Sequence, residues 1–129
     1  MIKIRFIWDL IPILVIITNA MPKNFGGMCL GIIVLLRPKW KDNEGLLQHE
    51  LTHIKQNLRS GLTSAFRQNW DKQHKLDREC EAYAVQLTYS TNKKWHKKCY
   101  VDFMYNKYNL GMTKTRINSN FSKWIKRIS

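Results

Sequence analysis

Acidic residues are scarce in this chain: 9 Asp and Glu stand against 22 Lys and Arg in 129 residues, a formal net charge of +13. A surface that basic favours polyanions such as nucleic acid, acidic proteins or anionic lipid head groups, without choosing among them. Cysteine is scarce too. Cys29, Cys80 and Cys99 are odd in number and lack C-x-x-C spacing, which argues against a disulfide framework. The plain reading is free thiols in a reducing compartment, hence a cytoplasmic protein; the alternative is a zinc site that includes cysteine. Long apolar runs are missing. Leu10 to Ile17 is shorter than the roughly 20 residues a spanning helix needs, and Asp9 and Pro12 interrupt it. No internal repeat is visible, and 44% hydrophobic content suits one compact core.

What the chain does have is Gln48-His49-Glu50-Leu51-Thr52-His53-Ile54-Lys55-Gln56, an H-E-x-x-H pattern. On a helix His49 and His53 lie one turn apart on one face, so both imidazoles can reach the same metal ion. Imidazole nitrogen suits Zn²⁺, which usually takes four ligands. Glu50 falls roughly 100° around the helix from His49, placed to take a proton from water rather than to bind the metal. Leu47, Leu51, Ile54 and Leu58 recur at i, i+4, i+7 and i+11, one apolar stripe that predicts this helix.

A third ligand is available in Leu76 to Leu87, which also reads as a helix. Its buried face is expected to hold Leu76, Cys80, Tyr83, Ala84 and Leu87, which puts Glu79 at the border of that face and Glu81 well away from it. That geometry favours Glu79 over Glu81. A carboxylate near an apolar face needs a charged partner, and a divalent cation is one. Solvated glutamates balancing Arg78 and the lysines are the plainer alternative.

From about Gly26 to Leu87 these residues resemble the small gluzincin-type zinc metallopeptidases, in which His-Glu-x-x-His on one helix is completed by a Glu on the next. The pattern Glu79-Cys80-Glu81-Ala82 is similar to the Glu-x-x-Ala of such families, and the whole looks like small uncharacterised peptidase-like proteins of bacteria and phages. The resemblance implies that Glu50 is the general base and that Glu79 is the third ligand. It also implies that Leu30 to Leu36, ahead of the zinc helix, is an edge strand along which an extended substrate pairs; the residues alone read equally as a fully buried sheet strand with no role in binding. Tyr83 stands where several relatives carry Asp or Asn to orient a metal-binding histidine. No residue is marked by a motif as the oxyanion donor; His74, Tyr83 and Tyr100 are the ones present.

Ile2 to Phe6 alternates apolar and basic residues and predicts a half-exposed strand. Leu10 to Ile17 reads as a buried helix or strand, an edge on a membrane surface, or the core of a signal peptide, which would make the protein secreted. Pro22 to Gly27 is a turn, Met28 to Leu36 a single strand ended by Arg37-Pro38, and Asp42 or Asn43 a cap for the zinc helix. Leu62, Phe66 and Trp70 at four-residue spacing predict a bracing helix over Leu62 to His74 with its aromatics in the core.

From Lys93 to Ser129 there are ten Lys and Arg but one acid, Asp102, interleaved with Trp95, Tyr100, Phe103, Tyr105, Tyr108, Phe121 and Trp124. Such a segment can grip single-stranded nucleic acid or line a membrane interface. Phe121, Trp124, Ile125 and Ile128 make an amphipathic terminal helix that docks on the core or meets such a partner. The expectation is therefore an α+β fold, a small sheet packed on a zinc-binding helix pair. Residues 1–92 form a zincin-like metallopeptidase domain, with 93–129 a basic aromatic extension packed on it. Its function would be hydrolysis of peptide bonds in a protein or peptide substrate; the alternative is a non-catalytic zinc-containing basic module that binds nucleic acid or a partner protein.

Overall fold

A computed structural model describes residues 1–129 as an α+β fold with a four-stranded mixed sheet and five α-helices. The strands are β1 (Ile2–Ile7), β2 (Ile11–Ile17), β3 (Gly27–Leu30) and β4 (Ile33–Leu36), in the spatial order β1-β2-β4-β3. β1 and β2 form an antiparallel hairpin with Ile4 opposite Leu14, β2 and β4 run parallel, and β4 returns antiparallel to β3. The helices are α1 (Glu44–Arg59), α2 (Thr63–Arg67), α3 (Lys72–Leu87), α4 (Lys93–Lys107) and α5 (Lys114–Ile128). None is long and apolar enough to cross a membrane.

Strand alternation decides which side of the sheet α1 covers. Ile7, Ile13, Val15, Val34 and Leu36 point to one face and meet Leu47, Leu51 and Ile54 of α1 in a closed apolar cluster. Burying each of these side chains contributes about 1.5–3 kcal/mol, which fixes α1 on the sheet. The opposite face carries Ile2, Ile4 and Phe6 of β1 and Leu14 of β2, all exposed. Asn43 starts α1, its Oδ1 accepting from the Leu46 N–H at 2.9 Å. Asp71 does the same for α3 by accepting from the His74 N–H at 3.0 Å.

A second cluster joins α3 to the C-terminal helices. Leu76, Cys80, Tyr83, Ala84 and Leu87 of α3 pack against Val101 and Met104 of α4, Leu110, and Ile117 and Phe121 of α5. The basic third of the chain thus shares its core with α3. Phe121 is buried and Trp124 half-buried, with its indole N–H donating to Asp77 Oδ1 at 3.1 Å, so the apolar face of α5 docks inward.

Three expectations need correction. Met28 to Leu36 is two strands: Gly31, with φ of +62°, takes the left-handed conformation that glycine adopts without strain and turns the chain back. The sheet edge is consequently β3, and β4, which makes up most of Leu30 to Leu36, lies inside between β2 and β3. No bracing helix runs from Leu62 to His74. α2 has five residues, Leu62 is left-handed at φ 74°, and Asp71 caps a new helix. Phe66 and Trp70, at 64% and 71% exposure, stay out of the core.

Candidate metal centre

α1 and α3 pack side by side, and their facing surfaces hold the polar residues that neither apolar cluster takes up. His49 and His53, one turn apart on α1, turn away from the sheet and toward α3. Their Nε2 atoms lie 3.2 Å apart. Glu79 on α3 reaches between them, with Oε1 3.5 Å from His49 Nε2 and Oε2 3.1 Å from His53 Nε2. All three residues are buried, and one ligand atom from each lies within 4.8 Å of the others. This group can hold a metal ion.

The surroundings orient the donors. Gln56, one turn beyond His53 on α1, donates its amide to the Arg78 carbonyl at 3.0 Å and to Glu81 Oε1 at 2.7 Å. Its oxygen therefore faces His53 Nδ1, 2.9 Å away, and must accept a hydrogen bond from an Nδ1–H. In the neutral ring that leaves the Nε2 lone pair directed at the shared centre. Glu81 is committed elsewhere: besides Gln56 it meets Arg59, with 3.4 Å between Oε2 and Nη1. The His49 ring stands edge-on to Tyr83 at 4.3 Å between centroids, and its Nδ1 has no hydrogen-bond partner. Glu79 Oε1 is likewise buried without one. Tyr83 thus packs against His49 through its ring, and its hydroxyl pairs with that of Tyr108 at 3.2 Å.

Charge accumulates here. Burial raises the Glu79 carboxyl, but His53 and His49 outweigh that and hold it well below the usual carboxylate range. Burial lowers His53, but Glu79, through charge and hydrogen bond, reverses this and raises it to about 9. Glu50 is raised by burial, which the histidines only partly offset. In the metal-free protein the charge of Glu79 is thus matched by the histidines, while burial favours the neutral form of Glu50.

Glu50 lies beside this group, 5% exposed, and lines two cavities that meet at His49. The smaller, about 150 Å³, is bounded by Met28 and Cys29 of β3, by His53, and by Arg78 and Glu79. The larger, about 250 Å³, is lined by Leu46, Tyr83, Tyr100 and Phe103. Phe25, Gly27 and Tyr108 border both. A Cβ on Gly27 would stand 2.9 Å from Leu36 Cδ2 of β4 and 3.3 Å from the Leu35 carbonyl oxygen, so glycine fits the close packing of the edge strand at the cleft wall, with Glu50 of α1 in ordinary contact beside it. Arg37 holds the loop that carries Phe25, donating to the Phe25 carbonyl at 2.7 Å and to that of Pro22 at 2.6 Å.

No protein-family model, curated protein or solved structure matches the chain. The chemistry of the site therefore rests on its geometry. The structure brings together His49, Glu50, His53 and Glu79. It does not bring His74 there: that ring pairs with Ser64 Oγ at 2.7 Å. Tyr100 stacks on Tyr83 at 4.8 Å and lines the larger of these two cavities but not the smaller. Arg78, Phe25 and Tyr108 border the site without any motif having marked them. The adjacency of Arg78 to Glu79 was the one available signal.

Proposed function

We propose that the protein is a zinc-dependent hydrolase of peptide bonds. The observation that carries this reading is the convergence of two imidazole nitrogens and a carboxylate oxygen within 4.8 Å, with Glu50 against them in the wall of a cleft. The fit to zinc rests on the donor set and on Glu79 Oε1, buried with no hydrogen-bond partner. His49, His53 and Glu79 would hold the ion, and three protein ligands leave a position for substrate or water, as in catalytic rather than structural zinc sites. Bound there, zinc supplies Lewis acidity toward a carbonyl oxygen and toward water.

The chain's own residues supply the rest. Gln56 keeps His53 in the tautomer that presents Nε2. Glu50, whose proton affinity burial increases, accepts the proton of the attacking water at its carboxylate and passes it to the leaving amine. Tyr108, held neutral because burial raises its hydroxyl well above the ordinary range, offers a donor at the cavity wall.

The test is elemental analysis of purified protein followed by peptide-library cleavage. One equivalent of zinc, lost in Glu79→Ala and kept in Glu81→Ala, with cleavage abolished in zinc-loaded Glu50→Gln, supports the reading. Absence of bound zinc after it has been supplied removes it. The second reading, a zinc-containing basic module for nucleic acid, draws on the exposed Lys and Arg of α4 and α5. It is weakened by the aromatics: Phe121 is buried, Tyr100, Phe103, Tyr108 and Trp124 are half-buried, and only Trp95 and Tyr105 stand free to stack on bases.

A further inference from the structure

Arg78 is 6% exposed, yet no carboxylate pairs with it. Its Nη1 donates to Asn57 Oδ1 at 3.0 Å and to Ser64 Oγ at 2.8 Å, both neutral, and its Nε has no partner. A buried guanidinium served only by neutral groups is costly unless an anion completes it. The nearby acids are already committed. Both Glu79 oxygens face the histidines, and Glu81 is taken by Gln56 and Arg59.

Arg78 borders two cavities, one of about 300 Å³ shared with Asp77 and Glu81 and the one of about 150 Å³ shared with His49, Glu50, His53 and Glu79. An anion in the second would lie beside the reactive group. One side of the Arg78 fork is fixed by Asn57 of α1 and by Ser64 of α2, and His74 steadies Ser64 in turn at 2.7 Å. A guanidinium anchored through Nη1 keeps its charge at a set place on the cavity wall, where a carboxylate would meet a charged hydrogen-bond donor. Across His49 and Glu50 from it, the larger cavity is apolar and aromatic. The cleft thus has an apolar end, a reactive middle and a cationic end.

We propose that Arg78 anchors a carboxylate of the substrate, so that the cleft selects peptides with a free carboxylate on one side of the bond that is cut and a large apolar residue on the other. This rests on the peptidase reading and adds the substrate class. The carboxylate can be the peptide's C-terminus or an acidic side chain. Either gives Arg78 the same partner.

The experiment measures binding, by calorimetry at low salt, of three probes to zinc-loaded, full-length Glu50→Gln protein: N-acetyl-Leu-Phe-Ala with a free C-terminus, its C-terminal amide, and N-acetyl-Leu-Phe-Asp amide. The free acid is expected to bind about tenfold or more tightly than the amide, a difference that Arg78→Gln erases without changing zinc content or affinity for the amide. Arg78→Lys, which keeps the charge but not the fork, should retain only part of it. If the Asp amide matches the free acid, the anchor takes side chains; if it binds like the plain amide, the anchor is specific for a chain end. Equal binding of acid and amide, a preference that survives Arg78→Gln, or no binding of any probe overturns the proposal. Should Arg78→Gln unfold the protein, the acid-to-amide ratio with Arg78 intact and with Arg78→Lys decides. Zinc content and Glu50-dependent cleavage judge the peptidase reading separately, so the two can fail independently.

Discussion

Gln56 and His53 share a buried hydrogen bond of 2.9 Å, and the direction of that bond is dictated from the far side of the amide. Because the Gln56 nitrogen already donates to the Arg78 carbonyl and to Glu81, its oxygen alone can face the ring. The residue after α1's second histidine turn therefore sets the tautomer of a metal ligand, and α3 sets that residue. Gln56→Ala should lower zinc affinity about 10–100-fold, the usual cost of losing a partner that orients a ligating histidine. Competition with a chromophoric chelator measures it. Unchanged affinity would mean that the His53 ring is held by packing alone.

The metal-free protein should lose stability as pH rises from neutral. His53 is raised from 6.5 to about 9 in the fold; burial works against this but Glu79 and Glu50 prevail. A folded-state pKa above the unfolded one gives stability that is complete below the unfolded pKa and is lost as pH climbs through the folded one. Thermal unfolding of chelator-treated protein should thus show Tm falling between pH 6.5 and about 9 and the His53 contribution levelling off above that. His53→Gln should flatten this slope. Zinc competes for the same nitrogen, so calorimetry near neutral pH in buffers of different ionisation enthalpy should register proton release on binding. A Tm that rises across that interval would contradict the charge arrangement of the site.

Two thiols should be slow to react in the native protein. Burial, then Glu50, pushes Cys29 up to about 12, and burial does the same to Cys80. At pH 8 a thiol shifted from 9.0 to about 12 drops from about a tenth thiolate to about one part in ten thousand. Iodoacetamide followed by mass spectrometry should leave Cys29 and Cys80 unmodified until denaturant is added. Rapid labelling of Cys29 would show that β3 leaves its place beside the cavity.

The parts of this structure legible in the sequence are those where a periodic pattern meets a buried face. Leu47, Leu51 and Ile54 mark the sheet-facing side of α1 because each sits on the same side of a 3.6-residue repeat, and the same step puts Glu79 rather than Glu81 against the histidines. Patterns that stay apolar on both faces hide their breaks. Met28 to Leu36 has no polar residue to mark a turn, and Gly31 alone carried that signal. Leu62, Phe66 and Trp70 mimic a buried stripe, but the left-handed Leu62 and the Asp71 cap cut the segment before it can pack. Phe25, Arg78 and Tyr108 converge from a loop, a helix and a helix end, and no local spacing announces a site built that way.

Adjacent residues of β2 offer the sharpest check on the fold beneath the site. Leu14 pairs with Ile4 on the outer face and is 36% exposed, whereas Val15 pairs with Lys3 and is 1% exposed under α1. Val15→Glu would bury a carboxylate among Ile7, Val34 and Leu51, and even with Lys3 across the strand this defect should cost roughly 2 kcal/mol or more. Leu14→Glu places the same charge in water and should change stability by about 1 kcal/mol or less. Urea unfolding of the two variants reads the difference directly. Strand register leaves no middle ground, because a slip of one residue exchanges the faces and would reverse the order of the two variants. A separate pairing, β3 with β4, places Gly27 opposite Leu36 and brings the edge strand beside Glu50, so the face assignment of β2 is tested independently of the cleft.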